Sequence, residues 1–177
     1  MAAFDPSAEL SGELDFWLLR NTCVALFWDP AVLATTTTWL ADHGYRIVEI
    51  DTGGWTREAD LHRDIASAVD FPEYYDDNLD GLDDFMGDIA SGDHAPDLAA
   101  AGFVLVLRHY DKFAAVQRHL AHAVLDIFAR QARSALLFGH RMMCLVQSDD
   151  PGLSFPAVGA LPVEWNDAEE PDSLRGV

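Results

Sequence analysis

The chain has 177 residues, of which 50% are hydrophobic and 11% aromatic, enough apolar material for one packed domain without disulfides or metals. Its formal net charge is −19, from 30 acidic and 11 basic residues, and such a charge repels nucleic acid and anionic membranes and attracts basic proteins. The composition therefore argues against a nucleic-acid-binding or membrane-binding protein, although solubility or adaptation to salt would also explain the acidity.

The sequence predicts a cytoplasmic protein. Its first residues, MAAFDPSAELSGEL, lack the basic start and apolar centre of a secretory signal. No apolar run reaches the roughly 18 residues that a membrane helix needs. Cys23 and Cys144 lie in apolar runs, where a buried reduced thiol is more typical than a disulfide or a metal ligand. We therefore expect no membrane contact and no cofactor.

The first fifty residues predict two strands separated by a helix. The continuous apolar run at residues 22–28, TCVALFW, is typical of a buried strand, and residues 45–50, YRIVEI, predict the next one. A further helix is expected before the first strand, at residues 9–19. Its partly buried side chains are expected to be Leu10, Leu14, Phe16 and Trp17.

Two helices are marked by residues that are typical of helix ends. Pro30 suits the first turn of a helix over residues 30–42, and Gly44 suits the position after its end. Thr56 is expected to cap a second helix, over residues 57–69. The apolar stripe of this second helix consists of Leu61, Ile65, Ala68 and Val69.

An acidic helix over residues 78–90 is the most unusual feature of the chain. No Lys or Arg occurs between Arg63 and Arg108, and acids three or four residues apart cost a helix about 0.2–0.5 kcal/mol per pair. A helix that keeps like charges at such spacings despite this cost is a candidate functional surface. The side expected to pack on the core consists of Leu79, Leu82, Phe85, Met86 and Ile89. The opposite, acidic side consists of Asp80, Asp83, Asp84 and Asp88.

The second half of the chain predicts three more strands, at residues 103–109, 141–147 and 161–165. The acidic tail after Asn166 is expected to be mobile. Strands that alternate with helices predict an α/β fold with a largely parallel sheet, in a single domain. A single helix is expected over residues 112–133. Its inward side chains are expected to be Val116, Leu120, Ala123, Val124, Ile127 and Phe128.

Other kinds of site are disfavoured by the same residues. Residues 76–81, DDNLDG, match the start of an EF-hand calcium loop, but Gly87 stands where such a loop needs a bidentate Glu. His119 and His122 are spaced to share a metal ion, yet no third ligand joins them on their helix face. The chain has no nucleophile motif and no Gly-rich phosphate loop, so we expect neither a metal site nor an enzyme.

Four short motifs in the middle of the chain form a specific pattern. DLH at residues 60–62 is followed, ten residues after its histidine, by PEYY at 72–75, and NLDGLDD follows at 78–84. A later segment, VLDIF at 124–128, lies on the last long helix. Together these motifs resemble the barstar family of ribonuclease inhibitors, over residues 45–147.

This resemblance implies a fold, an activity and a site. The fold would be a small, mainly parallel sheet packed with helices, extended by a strand–helix unit at residues 1–44 and a C-terminal segment at residues 152–177. Members of the family inhibit microbial ribonucleases by placing acidic residues in a basic active-site cleft, where they stand in for substrate phosphates. Asp84 would be the main phosphate mimic. The partner-binding residues that we carry over are Tyr74, Asn78, Asp80, Gly81, Asp83, Asp84 and Ile127.

Four residues differ from the family pattern. Asp83 replaces an aromatic residue, Asp76 a glycine and Asp88 a small residue, while Arg130 replaces an acid on the last helix. Two hypotheses remain open. In the first, an immunity protein or antitoxin blocks a basic secreted ribonuclease, or a differently shaped nuclease toxin, by RNA mimicry. In the second, the acidic helix is a non-inhibitory module that binds another basic protein.

Overall fold

The computed structural model of the protein describes residues 14–69, 76–93 and 100–169. The helices in these ranges are α1 (Leu14–Leu19), α2 (Pro30–Asp42), α3 (Glu58–Val69), α4 (Leu79–Ser91), α5 (Tyr110–Val116) and α6 (Arg118–Leu137). The strands are β1 (Val24–Phe27), β2 (Tyr45–Asp51), β3 (Gly102–Arg108), β4 (Met142–Gln147) and β5 (Glu164–Trp165).

All the strands of the described ranges form one parallel sheet in the order β2-β3-β4-β1-β5. Strands β4 and β1, next to each other in the middle of this order, are buried along their whole length because helices cover both faces of the sheet. The predicted α/β fold with a parallel sheet is confirmed. Each predicted strand occurs, but the last is shorter than expected, since β5 has only two residues.

Alternate residues of the strands contribute to two hydrophobic layers, one on each face of the sheet. The larger layer combines strand side chains such as Leu105 and Cys144 with apolar side chains of α3, α4, α5 and α6. The smaller layer combines Val104 and Met143 with side chains of α1 and α2. The acidic helix α4 therefore lies on one face of the sheet, and α1 and α2 lie on the other.

The cysteines agree with the sequence-based prediction. Cys23 and Cys144 are both buried and free. Burial raises the pKa of the Cys23 thiol to about 11, so this thiol stays protonated at neutral pH. Within the described ranges, none of the helices is long and apolar enough to cross a membrane.

Helix α2 begins and ends where predicted. The Asp29 carboxylate accepts a hydrogen bond from the backbone N–H of Ala31 at 2.8 Å, and Pro30 occupies the first helical position. Gly44 follows the helix with φ +83°, in the left-handed region that favours glycine. The next residue begins β2, so the turn between the two elements is short.

The start of α3 differs from the prediction in its capping residue. The backbone N–H and the hydroxyl of Thr56 both donate to Asp60 Oδ2, at 3.1 and 3.2 Å, and the N–H of Arg57 donates to the same oxygen at 3.1 Å. Arg63 Nη1 donates to the other carboxylate oxygen at 3.0 Å. Asp60 is therefore the acceptor that caps this helix, as the acidic residue of a capping box does. These bonds, the one from the Thr56 N–H foremost, lower the pKa of Asp60 from 3.8 to about 2.

Asp60 is expected to make the stability of the protein sensitive to acid. Because its pKa is lower in the folded chain than in the unfolded chain, its carboxylate stabilises the fold above about pH 4, and this contribution is lost as the pH falls towards about 2. We expect the Tm of the protein, measured by circular dichroism, to fall more steeply over this pH range than the Tm of Asp60→Asn. The control Asp42→Asn should follow the unsubstituted protein. Parallel curves for all three proteins would contradict this role of Asp60.

The single helix predicted over residues 112–133 is wrong in its bounds and continuity. Two helices, α5 and α6, are separated by Gln117, whose φ of −133° and ψ of 58° interrupt the helical backbone. The Gln117 side chain donates to the Thr56 carbonyl at 3.1 Å and so ties the break to the start of α3. Val116, predicted to face inward, is 57% exposed at the end of α5. The other predicted inward residues are buried or half-buried: Leu120, Ala123, Val124, Ile127 and Phe128.

The acidic tail is held more firmly than predicted as far as Glu169. This residue is 4% exposed. Its carboxylate accepts hydrogen bonds from the backbone N–H groups of Trp28, at 3.1 Å, and Asp29, at 2.5 Å. These contacts fasten the segment after β5 to the end of β1, so the expectation of mobility after Asn166 is wrong for residues 167–169.

A buried polar network fastens α1 to the sheet. Asp15 Oδ2 accepts hydrogen bonds from Tyr45 Oη at 2.5 Å and from Arg141 Nη1 at 2.7 Å, and Arg141 also donates to Tyr45 Oη at 2.9 Å. Burial, with the hydrogen bond to Asp15, raises the pKa of Tyr45 well above its ordinary value. The network ties α1 to the starts of β2 and β4.

The burial of α1 agrees only in part with the prediction. Of the side chains predicted to be partly buried in this helix, Leu14 and Phe16 are half-buried, Trp17 is exposed, and Leu10 lies outside the described residues.

Candidate partner-binding surface

The acidic helix α4 begins with a well-defined cap. Asn78 has an extended backbone, and its side-chain oxygen accepts a hydrogen bond from the Gly81 N–H at 2.8 Å. At the other end, Gly92 has φ +86°, and its N–H donates to the Ile89 carbonyl at 3.2 Å. Both ends of α4 are therefore fixed by local hydrogen bonds, so the backbone that carries the outer side chains has a defined position.

Gly81 allows the turn before α4 to pack against the first turn of the helix. The N–H of Asn78 donates to the Asp76 carbonyl at 2.7 Å. A Cβ atom at Gly81 would lie only 2.2 Å from that same carbonyl oxygen. Any larger residue at this position would have to displace the backbone of the turn, because the obstructing atom is not a flexible side chain.

The inner face of α4 packs on the core, as its periodicity predicts. Its buried side chains lie in the larger hydrophobic layer, and the main helical neighbour of α4 is α6. This packing sets which side of α4 faces outward and places part of α6 beside it. The buried residues of α4 are Leu82, Phe85, Met86 and Ala90.

Four carboxylates lie exposed at the start and along the outer face of α4. We call this set the acidic row; it consists of Asp76, Asp77, Asp80 and Asp84. None of the four side chains has a hydrogen-bond or ion-pair partner within residues 14–69, 76–93 and 100–169. Since no cation neutralises the row there, its charge is available to a basic partner.

Asp83 lies on the same helix but is engaged within the protein. Its Oδ1 accepts a hydrogen bond from Gln131 Nε2 at 2.8 Å, and its Oδ2 lies 3.3 Å from Arg130 Nη1. Both donors come from α6. The side chain of Asp83 is only 30% exposed. This carboxylate therefore joins α4 to α6 and is not one of the unpaired acids.

The C-terminal segment takes part in this contact through Asp126. Asp126 Oδ2 accepts a hydrogen bond from Arg130 Nε at 3.2 Å, and its Oδ1 accepts one from the Gly159 N–H at 2.8 Å. Gly159 packs so closely on α6 that a Cβ atom there would lie 3.0 Å from Ala129. The turn at residues 158–161, closed by hydrogen bonds between Val158 and Leu161, is thus fixed against α6 beside Arg130.

The predicted binding residues fall into three groups. One helix turn and its cap bring together Asn78, Asp80, Gly81, Asp83 and Asp84. Ile127 is 5% exposed and belongs to the core, so it supports α6 beneath the surface and offers little area for contact. Tyr74 lies outside the described residues, and its role stays a prediction.

The sequence marks Arg130 and Asp83 as unusual residues but does not show that they pair. It does not show either that Asp126 and Gly159 belong to the same network. The spacing of Asp126 and Arg130, four residues apart on one helix, is a signal for an ion pair that the sequence does contain. The contacts of Arg130 with α4 and of Asp126 with the C-terminal turn have no such local signal.

The described residues give no support to a metal centre. They contain no group of three or more His, Cys, Asp or Glu side chains that could hold a metal ion. His119 is exposed. His122 Nε2 lies 3.2 Å from the Ala157 carbonyl and so contacts the C-terminal segment.

The chain matches the model of a known protein family. A family model described as Barstar (barnase inhibitor) matches residues 45–147, more than half of the chain. This range contains β2, β3 and β4, with α3 to α6, whereas α1, β1, α2 and β5 lie outside it. No curated protein matches the chain. The acidic row and the α4–α6 contact both lie inside the matched range.

Proposed function

The chain belongs to the barstar family of barnase inhibitors, and we propose that it inhibits a microbial ribonuclease by placing the acidic row in the basic active-site cleft of that enzyme. Members of this family are inhibitors rather than enzymes. One observation carries the proposal: the four carboxylates of the row are exposed and unpaired within the described residues, two of them on a helix whose ends are capped and two in the turn just before it.

Binding proceeds in two physical stages. The net charge of −19 draws a basic ribonuclease towards the protein and raises the rate of encounter, an effect that salt screens. The row then docks, and Asp80 and Asp84 take positions that substrate phosphates would occupy, with Asp84 as the main mimic. Because the cap and the close packing at Gly81 hold the backbone of this turn in place before binding, little backbone entropy is lost on docking.

We place this activity in the cytoplasm. An immunity protein or antitoxin there protects the cell from a nuclease that it makes for secretion or receives from a competitor. The partner class is accordingly a basic secreted ribonuclease or nuclease toxin. The protein itself binds no nucleic acid, because the row presents the same sign of charge as RNA.

A ribonuclease assay tests the proposal. A barnase-type ribonuclease is titrated with the protein at about 50 mM and about 500 mM salt, and RNA cleavage and association rate are both recorded. We expect cleavage to stop at equimolar protein, with association markedly slower at high salt. Absence of binding at both salt concentrations contradicts the proposal for this class of enzyme.

The pairing of Asp83 with Arg130 favours a second candidate. It removes one carboxylate from the outer face of α4 and places a cation beside the row, so a cleft that is basic throughout fits this surface less well. The second candidate is a non-inhibitory acidic module that holds a basic protein without covering its active site. In the same assay, binding without loss of RNA cleavage identifies this function.

A further inference from the structure

Arg130 is the cation that α6 contributes to the α4 surface. Helix α4 has no basic residue of its own. Arg130 reaches it through Asp83, at 3.3 Å, while the Arg130 side chain remains 48% exposed. Because Asp83 precedes Asp84 of the acidic row in the chain, a partner that covers the row is close to this guanidinium group as well.

The guanidinium group is only partly used within the protein. It has five N–H donors. In the described residues, its hydrogen bonds run from Nε to Asp126 and from Nη1 to Asp83. The remaining donors have no acceptor in those residues and belong to a half-exposed side chain, so they are available to a group outside the chain.

The orientation of Arg130 is set from both sides. Asp83 is held by Gln131, and Asp126 is held by the Gly159 N–H, so each carboxylate that contacts Arg130 has its other oxygen fixed. A long side chain that is immobilised before binding loses less conformational freedom when a partner pairs with it. The network thus orients the Arg130 guanidinium group before a partner binds to it.

We propose that Arg130 determines specificity by pairing with a carboxylate of the partner ribonuclease at the border of its basic cleft. This inference rests on the proposed function. A carboxylate is the side chain that best matches the forked donors of a guanidinium group. A lysine or arginine at the same place of another ribonuclease would meet a like charge, and Arg130 would therefore select against that enzyme.

A charge-swap scan tests this role. The probe is a barnase-type ribonuclease in which each lysine and arginine at the border of the cleft is replaced in turn by glutamate. Dissociation constants are measured against the unsubstituted protein and against Arg130→Glu. At one border position we expect the glutamate to tighten binding to the unsubstituted protein about tenfold or more, and to weaken binding to Arg130→Glu.

Two controls separate specificity from folding. Arg20→Glu makes the same change of charge next to α1, on the other face of the sheet, and should respond to the scan as the unsubstituted protein does. Arg130→Lys keeps the charge and should keep the preferred position, with weaker affinity because the forked donors are lost.

Thermal unfolding of each variant shows whether it is folded. If Arg130→Glu is not folded, Arg130→Gln replaces it in the scan. With Arg130→Gln, the gain at the preferred position should disappear without reversal.

The two proposals fail in different ways. If the unsubstituted protein and the Arg130 variants respond equally to every position of the scan while binding still depends on Asp84, only the role of Arg130 is overturned. If binding does not depend on Asp84, the docking of the acidic row is overturned as well. A reversal of preference at one position, absent with Arg20→Glu, establishes the pairing.

Discussion

Replacing Asp84 by alanine is expected to weaken binding to the target ribonuclease by about 2 kcal/mol or more, which is about 30-fold in Kd. Asp84 is exposed and has no partner in the described residues, so its whole charge is available to the enzyme. In the complex this carboxylate would be desolvated at the centre of the interface, where truncation leaves the cations of the partner unpaired. Most of the change should therefore appear in the dissociation rate.

The matched control for this substitution is Asp42→Ala. Asp42 is also exposed, but it ends α2 on the opposite face of the sheet. Since both variants lose one negative charge, both should reduce long-range attraction by a similar small factor in the association rate. Stopped-flow measurements of association and dissociation separate the two effects. Equal, small changes for both variants would rule out docking through the row.

Replacing Asp15 by alanine is expected to lower the free energy of unfolding by about 3 kcal/mol, as removal of one partner from a buried ion pair does. The side chain of Asp15 is 8% exposed and that of Arg141 is 23% exposed. Loss of the carboxylate removes the acceptor that Arg141 and Tyr45 share, and with it the polar contact between α1 and the sheet. Urea unfolding should show a lower midpoint with an unchanged slope.

Asp167→Ala is the control for the buried pair. Asp167 also faces an arginine, but at 4.0 Å and with 65% of its side chain exposed, so its loss should cost less than about 1 kcal/mol. A midpoint for Asp15→Ala as high as that of Asp167→Ala would show that the network contributes little. Ribonuclease inhibition by folded Asp15→Ala should be unchanged, because Asp15 lies on α1, away from the acidic row.

Much of the fold was predictable because its signals are local. Apolar runs, helix caps and the Pro30 and Gly44 positions predicted the strands and α2. The break at Gln117 was not predictable, because it depends on a hydrogen bond to Thr56, 61 residues away along the chain. The burial of Glu169 likewise depends on backbone donors 140 and 141 residues away.

The candidate site was predictable to a similar extent. The 100° periodicity of α4 separated its buried and acidic faces correctly, and Asn78 was placed at its start. The ion pair of Asp83 was not predictable from α4 alone, since its partner Arg130 lies 47 residues later in the chain. Charge patterning within one element cannot reveal which acids are paired across two elements. Tyr74 remains a prediction of the family resemblance.

The position of β1 in the sheet has a consequence for self-association. Strand β4 pairs with β3 on one side and with β1 on the other, and all its residues, Met142–Gln147, are buried. Residues 45–147 alone would leave this apolar strand with an open edge, which pairs readily with other chains. Strand β1 covers that edge, and the two residues of β5 leave only a short edge in its place. We therefore expect the N-terminal strand to limit pairing with other chains at this edge of the sheet, by a contact that lies outside the acidic row.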